Sequence, residues 1–300
     1  MGNRGPDRVA AVRRMVAAHL PGGRVDSVVP VDEGTDHLAY EVNGELIVRW
    51  SREPDPAARA AGVDREARLL AAVAAISPLP VPEPAFTVPG QGVLAYPKLP
   101  GRPLLDLPEP RRSAHGTSVA ATLGELLAAL HAAPTERLAV LVDVDDRPPA
   151  AWRREAARAY ATVAGAVPAA HRRPVEAFLE APPPAGGWTN VFSHNDLGIE
   201  HVLVDPGTWT VTGVIDWSDA AIVDPAVDFG RLYRDLGPAA AHAAMGRSRT
   251  RADDPAALAE RAAFYARCSL FEDLAYGIRT GRDAYVDKSL AAMAWLFPAQ

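Results

Sequence analysis

The spacing of the apolar residues changes along this chain, and that change constrains the fold more than any other feature. Before residue 100 the pattern is mainly that of strands. After it the pattern is mainly helical, with a few short strand-like pieces set into it. Val9, Val12, Met15, Val16 and Leu20 recur at helical spacing and predict an amphipathic helix over 7–19. Residues 24–30 are β-branched and short, and Glu33-Gly34-Thr35 reads as a turn. Residues 38–42 and 45–50 flank Asn43-Gly44, a strong hairpin signal. An Ala- and Leu-rich stretch over 57–75 predicts a helix that stops before Ser77-Pro78. The proline-rich run 78–84 can only be extended. Residues 86–88 and 93–96 predict another strand pair, and 97–101 breaks the pattern.

Helices are predicted over 113–132, 150–164 and 170–180, followed by a Pro/Gly loop at 181–187. Three short strand-like pieces come next, at 191–193, 202–204 and 210–215. The pattern from 225 to 297 is helical again, and there are no internal repeats. Strands lead and helices follow, which predicts an α+β fold of two lobes: a small β-rich lobe over 1–97 and a larger helical lobe over 98–300. Ligand sites often lie between such lobes.

Composition narrows the function classes. The 300 residues are 48% apolar and 23% charged, as in a water-soluble globular chain. The formal charge of −6 argues against nucleic acid as a partner, since phosphate backbones need a basic face. Cys268 is the single cysteine, so no intrachain disulfide is expected and a reduced, cytoplasmic setting fits. It sits in an apolar helical run and reads as core packing. The N-terminal residues lack the long apolar run of a signal peptide, and no stretch approaches the ~20 apolar residues of a membrane span. No obligate protein partner is evident.

Two runs carry chemistry. One is Ser193-His194-Asn195-Asp196-Leu197-Gly198-Ile199-Glu200-His201, a polar loop between apolar pieces. The other is Val214-Ile215-Asp216-Trp217-Ser218-Asp219, a strand ending in carboxylates. Phosphoryl transfer needs a carboxylate to orient the attacking hydroxyl, metal ligands to neutralise the triphosphate, and a cation on its oxygens. Protein kinases place four residues between the catalytic-loop Asp and a metal-binding Asn. Here four residues separate Asp196 from His201, and Asp216 follows twenty residues after Asp196, where a second metal-binding Asp is expected.

On these residues the chain resembles the aminoglycoside and macrolide phosphotransferases, which share the protein-kinase-like fold. Their usual loop is His-Gly-Asp, four residues, then Asn. This chain has Asn195 for the Gly and His201 for the Asn. Both departures resemble the 2″-type aminoglycoside phosphotransferases, and macrolide kinases also carry the His. The segment from Ile215 to Phe229 is similar to the same families. The likeness in motifs runs from about Glu33 to Phe229.

The resemblance implies a set of roles. Asp196 is the catalytic carboxylate. His201 and Asp216 bind Mg2+, and Asp219 holds a metal-bound water or the substrate. Arg49 stands where the phosphate-pairing lysine is usual, with Glu66 as its helical partner. Gly34 belongs to a weak glycine loop, and Tyr96, Pro97, Lys98 and Leu99 form the hinge that takes the base of ATP or GTP. Glu272 or Asp273 holds ammonium groups of the substrate. His194 braces the loop, and Asp228 anchors it from a helix.

Plainer readings compete. Glu66, Glu272 and Asp273 also read as solvated helix charges, Arg49 as a strand-surface cation, His201 as a satisfied core histidine, and Asp224 as a helix N-cap. The implied activity is transfer of the γ-phosphate of ATP or GTP to an antibiotic hydroxyl, with an aminoglycoside first and a macrolide second. A metabolic small-molecule kinase and a non-catalytic nucleotide-binding protein are the alternatives.

Overall fold

Asn43 and Gly44 both take left-handed backbone angles, φ 55° and 76°. Such a turn matches the twist of the strands it joins, and these two residue types accept it at low cost. The Asn43 side chain adds a second function: its Oδ1 accepts the N–H groups of Asp26 and Ser27, and its Nδ2 donates to Arg24 O. The turn therefore also fixes the approach of the preceding segment.

The computed structural model describes residues 5–20, 24–33, 37–248 and 254–299. The turn expected around Gly34 falls outside them. Two compact units divide the chain: Met1–Ala75 with Pro80–Pro100, and Ile76–Leu79 with Gly101–Gln300.

The first unit holds α1 (Gly5–His19), β1 (Val28–Glu33), β2 (His37–Val42), β3 (Leu46–Ser51), α2 (Pro56–Ala74), β4 (Phe86–Val88) and β5 (Val93–Pro97). Its strands form one antiparallel sheet in the order β1-β2-β3-β5-β4. Alternate residues of β2 (Leu38, Tyr40, Val42) and of β3 (Leu46, Val48) are buried with Val12, Met15 and Val16 of α1. Those three helix positions share one face, so the sheet acquires a covered side. Asp55 caps α2 by accepting Ala58 N–H at 2.7 Å, and Pro56 opens the helix where a missing N–H costs nothing. The first strand starts and ends later than its sequence pattern suggests, because Asn43 ties down residues 24–27 as a loop.

The second unit contains β6 (Arg102–Pro103), α3 (Glu109–His131), α4 (Thr135–Leu138), β7 (Asp143–Val144), α5 (Pro149–Val163), α6 (Ala169–Glu180), β8 (Val191–Ser193), β9 (Val202–Val204), β10 (Val211–Val214), β11 (Ala221–Val223), α7 (Ala226–Leu236), α8 (Pro238–Arg247), α9 (Pro255–Thr280) and α10 (Asp283–Leu296). Helix α7 packs between α9, α8 and α10, while α5 packs on α9. At Gly230 a Cβ would stand 2.9 Å from Tyr265 Cβ and 3.0 Å from Ala262 O, so the close approach of α7 to α9 requires glycine there. Two three-stranded sheets, β10-β9-β6 and β7-β11-β8, carry the loops of the site.

Among the described residues the helical pattern of 225–297 resolves into four helices. Gly237, at φ 84°, followed by Pro238 separates α7 from α8, and left-handed Gly281 ends α9. Strands β6, β7 and β11 span two or three residues each, too few to leave a readable period. Among the described residues no helix is long and apolar enough to cross a membrane.

Candidate active site

Strand β8 delivers the loop that begins at His194. Asn195 is left-handed, φ 67°. This explains an asparagine where related loops use glycine, since these residue types tolerate that region best. Asn195 Nδ2 donates to Asp219 O at 3.0 Å, linking this loop to the one after β10. His194 is fully buried. Its Nε2 lies 3.0 Å from Ile215 O, and its Nδ1 accepts the Asp196 N–H at 3.3 Å. Burial, with the neighbouring charge of His201, holds the ring near a pKa of about 4, so it is neutral and serves as a brace.

Helix α7 grips the loop from below. Asp228 is fully buried and accepts the N–H groups of His194 at 2.9 Å and Leu197 at 3.4 Å. Burial pushes its carboxyl up to about 6, against those donors and Arg231. Asp235 Oδ2 accepts the Ile199 N–H at 3.1 Å.

The Asp196 carboxylate stands between two basic groups. Oδ1 lies 3.3 Å from Arg231 Nη2, and Oδ2 lies 3.2 Å from His201 Nε2. The side chain keeps 31% of its surface exposed, enough to meet a ligand. Loss of solvation raises its pKa, but Arg231 and His201 overcome this and hold the group well below the usual carboxylate range. His201 Nδ1 is 4.0 Å from Asp216 Oδ2. Burial lowers the pKa of His201, yet Asp196, Glu200 and Asp216 raise it to about 9.

Asp216 is also left-handed, φ 62°, and its Oδ1 accepts the Ser218 hydroxyl at 2.8 Å. Asp219 is exposed nearby. Its carboxyl is pushed up by loss of solvation and by the charges of Asp196 and Asp216.

Asp216 offers the hard carboxylate oxygens that magnesium prefers, and His201 a softer imidazole nitrogen. No group of three or more His, Cys, Asp or Glu among the described residues forms a metal cage. Magnesium is usually held by one or two carboxylates together with substrate phosphates, so the single carboxylate of Asp216 would be within that range. The repulsion felt by Asp219 marks a place where a cation would be favoured. A ligating imidazole must be neutral, so His201 would give up its proton there.

Asp273 sits elsewhere. With Glu200 and Asp235 it forms a buried cluster against Arg234 and Lys288: Arg234 Nη2 and Lys288 Nζ lie 3.1 and 2.8 Å from Asp273 Oδ2, and Lys288 Nζ lies 2.7 Å from Glu200 Oε2. Its carboxylate thus faces two cations of the fold. Glu272, its neighbour on α9, is exposed.

In the first unit Arg49 Nη1 donates to Glu66 Oε1 at 2.5 Å, and Arg49 Nη2 lies 3.1 Å from His37 Nδ1. Both partners of the ion pair are largely buried, so Glu66 is not a solvated helix charge. Tyr96 is buried in β5, while Pro97 and Lys98 are exposed. The Lys98 N–H already donates to Glu45 O at 2.7 Å, and Lys98 Nζ lies 2.6 Å from Glu41 Oε2. Leu99 follows, partly buried. Gly34 is outside the described residues.

The sequence motifs did not point to Arg231, Arg234, Asp235 or Lys288, and gave no role to Glu200 or His37, which lie within them. One signal was present: charges at 228, 231, 234 and 235 interrupt a helix whose other positions, from Ala226 to Leu232, are buried and apolar. Charges in such a helix need partners.

Solved structures similar to this chain include aminoglycoside and macrolide phosphotransferases. The GDP complex of aminoglycoside 2′-phosphotransferase-IIIa superposes with a TM-score of 0.70 at 21% identity, covering 95% of this chain and 97% of that one. Macrolide 2′-phosphotransferase MphH from Brachybacterium faecium gives 0.65 at 28% identity, covering 96% and 98%. Macrolide 2′-phosphotransferase type I gives 0.64 at 22% identity, covering 98% and 99%. No curated protein matches the sequence. Residues 27–265 match the profile of the phosphotransferase enzyme family, APH, and the chain belongs to that family.

Proposed function

We propose that this protein transfers the γ-phosphate of ATP or GTP to a hydroxyl of a small-molecule antibiotic, an aminoglycoside in the first instance. One observation carries the reading: the part-exposed Asp196 carboxylate sits 3.2 Å from His201, whose far nitrogen faces Asp216. A proton-accepting group thus stands beside a pair of metal-competent side chains.

Asp196 receives the hydrogen bond of the acceptor hydroxyl and aims its oxygen at the γ-phosphorus. As the new O–P bond forms, the bond to the bridging oxygen breaks, the nucleoside diphosphate leaves, and the hydroxyl proton passes to Asp196 and on to solvent. His201 and Asp216 are the residues assigned to Mg2+, which when bound offsets the charge of the triphosphate. Arg49, held by Glu66, is assigned to phosphate oxygens. Its planar guanidinium differs from a lysine ammonium in offering paired donors. The hinge assignment rests on Tyr96, Pro97 and Leu99, since the Lys98 N–H is already taken.

Asp219 and exposed Glu272 favour an ammonium-bearing acceptor. A macrolide is the second reading, favoured by the 28% identity to the macrolide enzyme and by the engagement of Asp273 inside the fold. Nucleoside diphosphate release, with Mg-ATP and Mg-GTP separately, across aminoglycosides and macrolides tests both. Stimulation by one class supports the kinase reading and names the acceptor. Silence with both nucleotides and both classes contradicts it.

A further inference from the structure

Asp228, Arg231 and Asp235 are three and four residues apart, so they lie on one face of α7. That face contacts the active-site loop in order. Asp228 takes the backbone of His194 and Leu197, Arg231 meets the side chain of Asp196, and Asp235 takes the backbone of Ile199. Two of the three contacts hold backbone. Arg231 alone addresses a side chain, and it addresses the one that faces the reaction. Arg231 is 9% exposed, and its Nε is buried without a hydrogen-bond partner. A buried, unmet donor costs roughly 1–3 kcal/mol, so the guanidinium is not arranged for its own best satisfaction. Asp273, Glu272 and Arg234 are the other charges near it.

We infer that Arg231 is a positioning residue for phosphoryl transfer: it holds Asp196 Oδ1 while His201 meets Oδ2, and the two contacts together fix the plane of the carboxylate that receives the acceptor hydroxyl. The inference rests on the proposed role of Asp196. Without Arg231 a single contact, from His201 to Oδ2, is left to orient the carboxylate, which can then turn about it, and a bound acceptor cannot follow. A water molecule can. Loss of Arg231 therefore harms transfer to a bound acceptor more than hydrolysis of the nucleotide by water.

The test compares wild type, Arg231→Met, Arg231→Lys and Asp196→Asn with Mg-ATP and Mg-GTP, using kanamycin and erythromycin as acceptors. Arg231→Met is expected to lose about a hundredfold in kcat for transfer, the size of loss typical of a misplaced group, with the nucleotide KM within about threefold. Acceptor-free hydrolysis falls by less than about tenfold. Arg231→Lys keeps the charge and the fold but lacks the guanidinium reach, so it shows the same lowered ratio of transfer to hydrolysis, less severely. That variant carries the test where the Met protein does not fold. Transfer within about threefold of wild type, or an unchanged transfer-to-hydrolysis ratio in Arg231→Lys, overturns the inference, while loss of transfer in Asp196→Asn still upholds the phosphotransferase reading. A wild-type protein idle towards both acceptors removes the reading and the inference together.

Discussion

Asp228 on α7 accepts the backbone N–H of His194 at 2.9 Å, and both residues are fully buried. This contact fixes the start of the candidate active-site loop to the helix beneath it. Removing the carboxylate leaves buried N–H groups unmet, each costing roughly 1–3 kcal/mol. Asp228→Ala is therefore expected to lower unfolding free energy by about 3 kcal/mol and kcat by at least about a hundredfold. Urea unfolding and steady-state transfer rates measure the two effects. A variant as stable and active as wild type would remove Asp228 from this role.

Lys288 and Arg234 together face three carboxylates, Glu200, Asp235 and Asp273. Breaking a buried charge network by deleting one partner costs about 3–5 kcal/mol. Lys288→Met should show a loss of that size in chemical denaturation. Asp273→Asn removes one charge from the side in excess and should cost far less. It should also leave the acceptor KM unchanged, whereas Glu272→Gln should raise it. A large rise in acceptor KM for Asp273→Asn would return that residue to substrate binding.

Burial holds His131 near a pKa of about 4, below its ordinary 6.5. It lies 3.4 Å from Ser193 Oγ and edge-on to Phe229. A histidine whose folded value is depressed contributes stability above its unfolded value and loses it as the pH falls. The loss thus runs from pH 6.5 down through 4, and amounts to about 3 kcal/mol at about 1.4 kcal/mol per unit. His131→Gln cannot titrate, so its stability should fall less steeply over that window. Parallel curves for the two proteins would contradict the assignment.

Arg49 and Glu66 form the buried ion pair of the first unit. Glu66→Ala should raise the nucleotide KM by about tenfold through loss of Arg49 orientation, and Arg49→Ala should raise it further. Arg49→Lys should fall between wild type and Arg49→Ala. Equal nucleotide KM values in all four proteins would make the pair structural.

Much of the fold was legible because local signals agreed with it. Asn43-Gly44 set a hairpin, Ser77-Pro78 stopped a helix, and the apolar pieces at 191–193 and 202–204 became strands with those bounds. Strands β6, β7 and β11 were not legible, since their partners, not their own residues, define them. The same holds for the site. The spacing of Asp196, His201 and Asp216 is a sequence fact. That Arg231 reaches Asp196, and that Asp273 faces Lys288, depends on how α7, α9 and α10 pack. Asn195 lies between these cases: its left-handed backbone gives a reason for the residue that spacing alone does not.

The most direct test of the account is Asp196→Ala, assayed for Mg-nucleotide binding and for phosphate transfer on the same preparation. The account predicts a folded protein that binds nucleotide as wild type does and loses transfer by about 10²–10⁴-fold. Transfer at a near wild-type rate would contradict it.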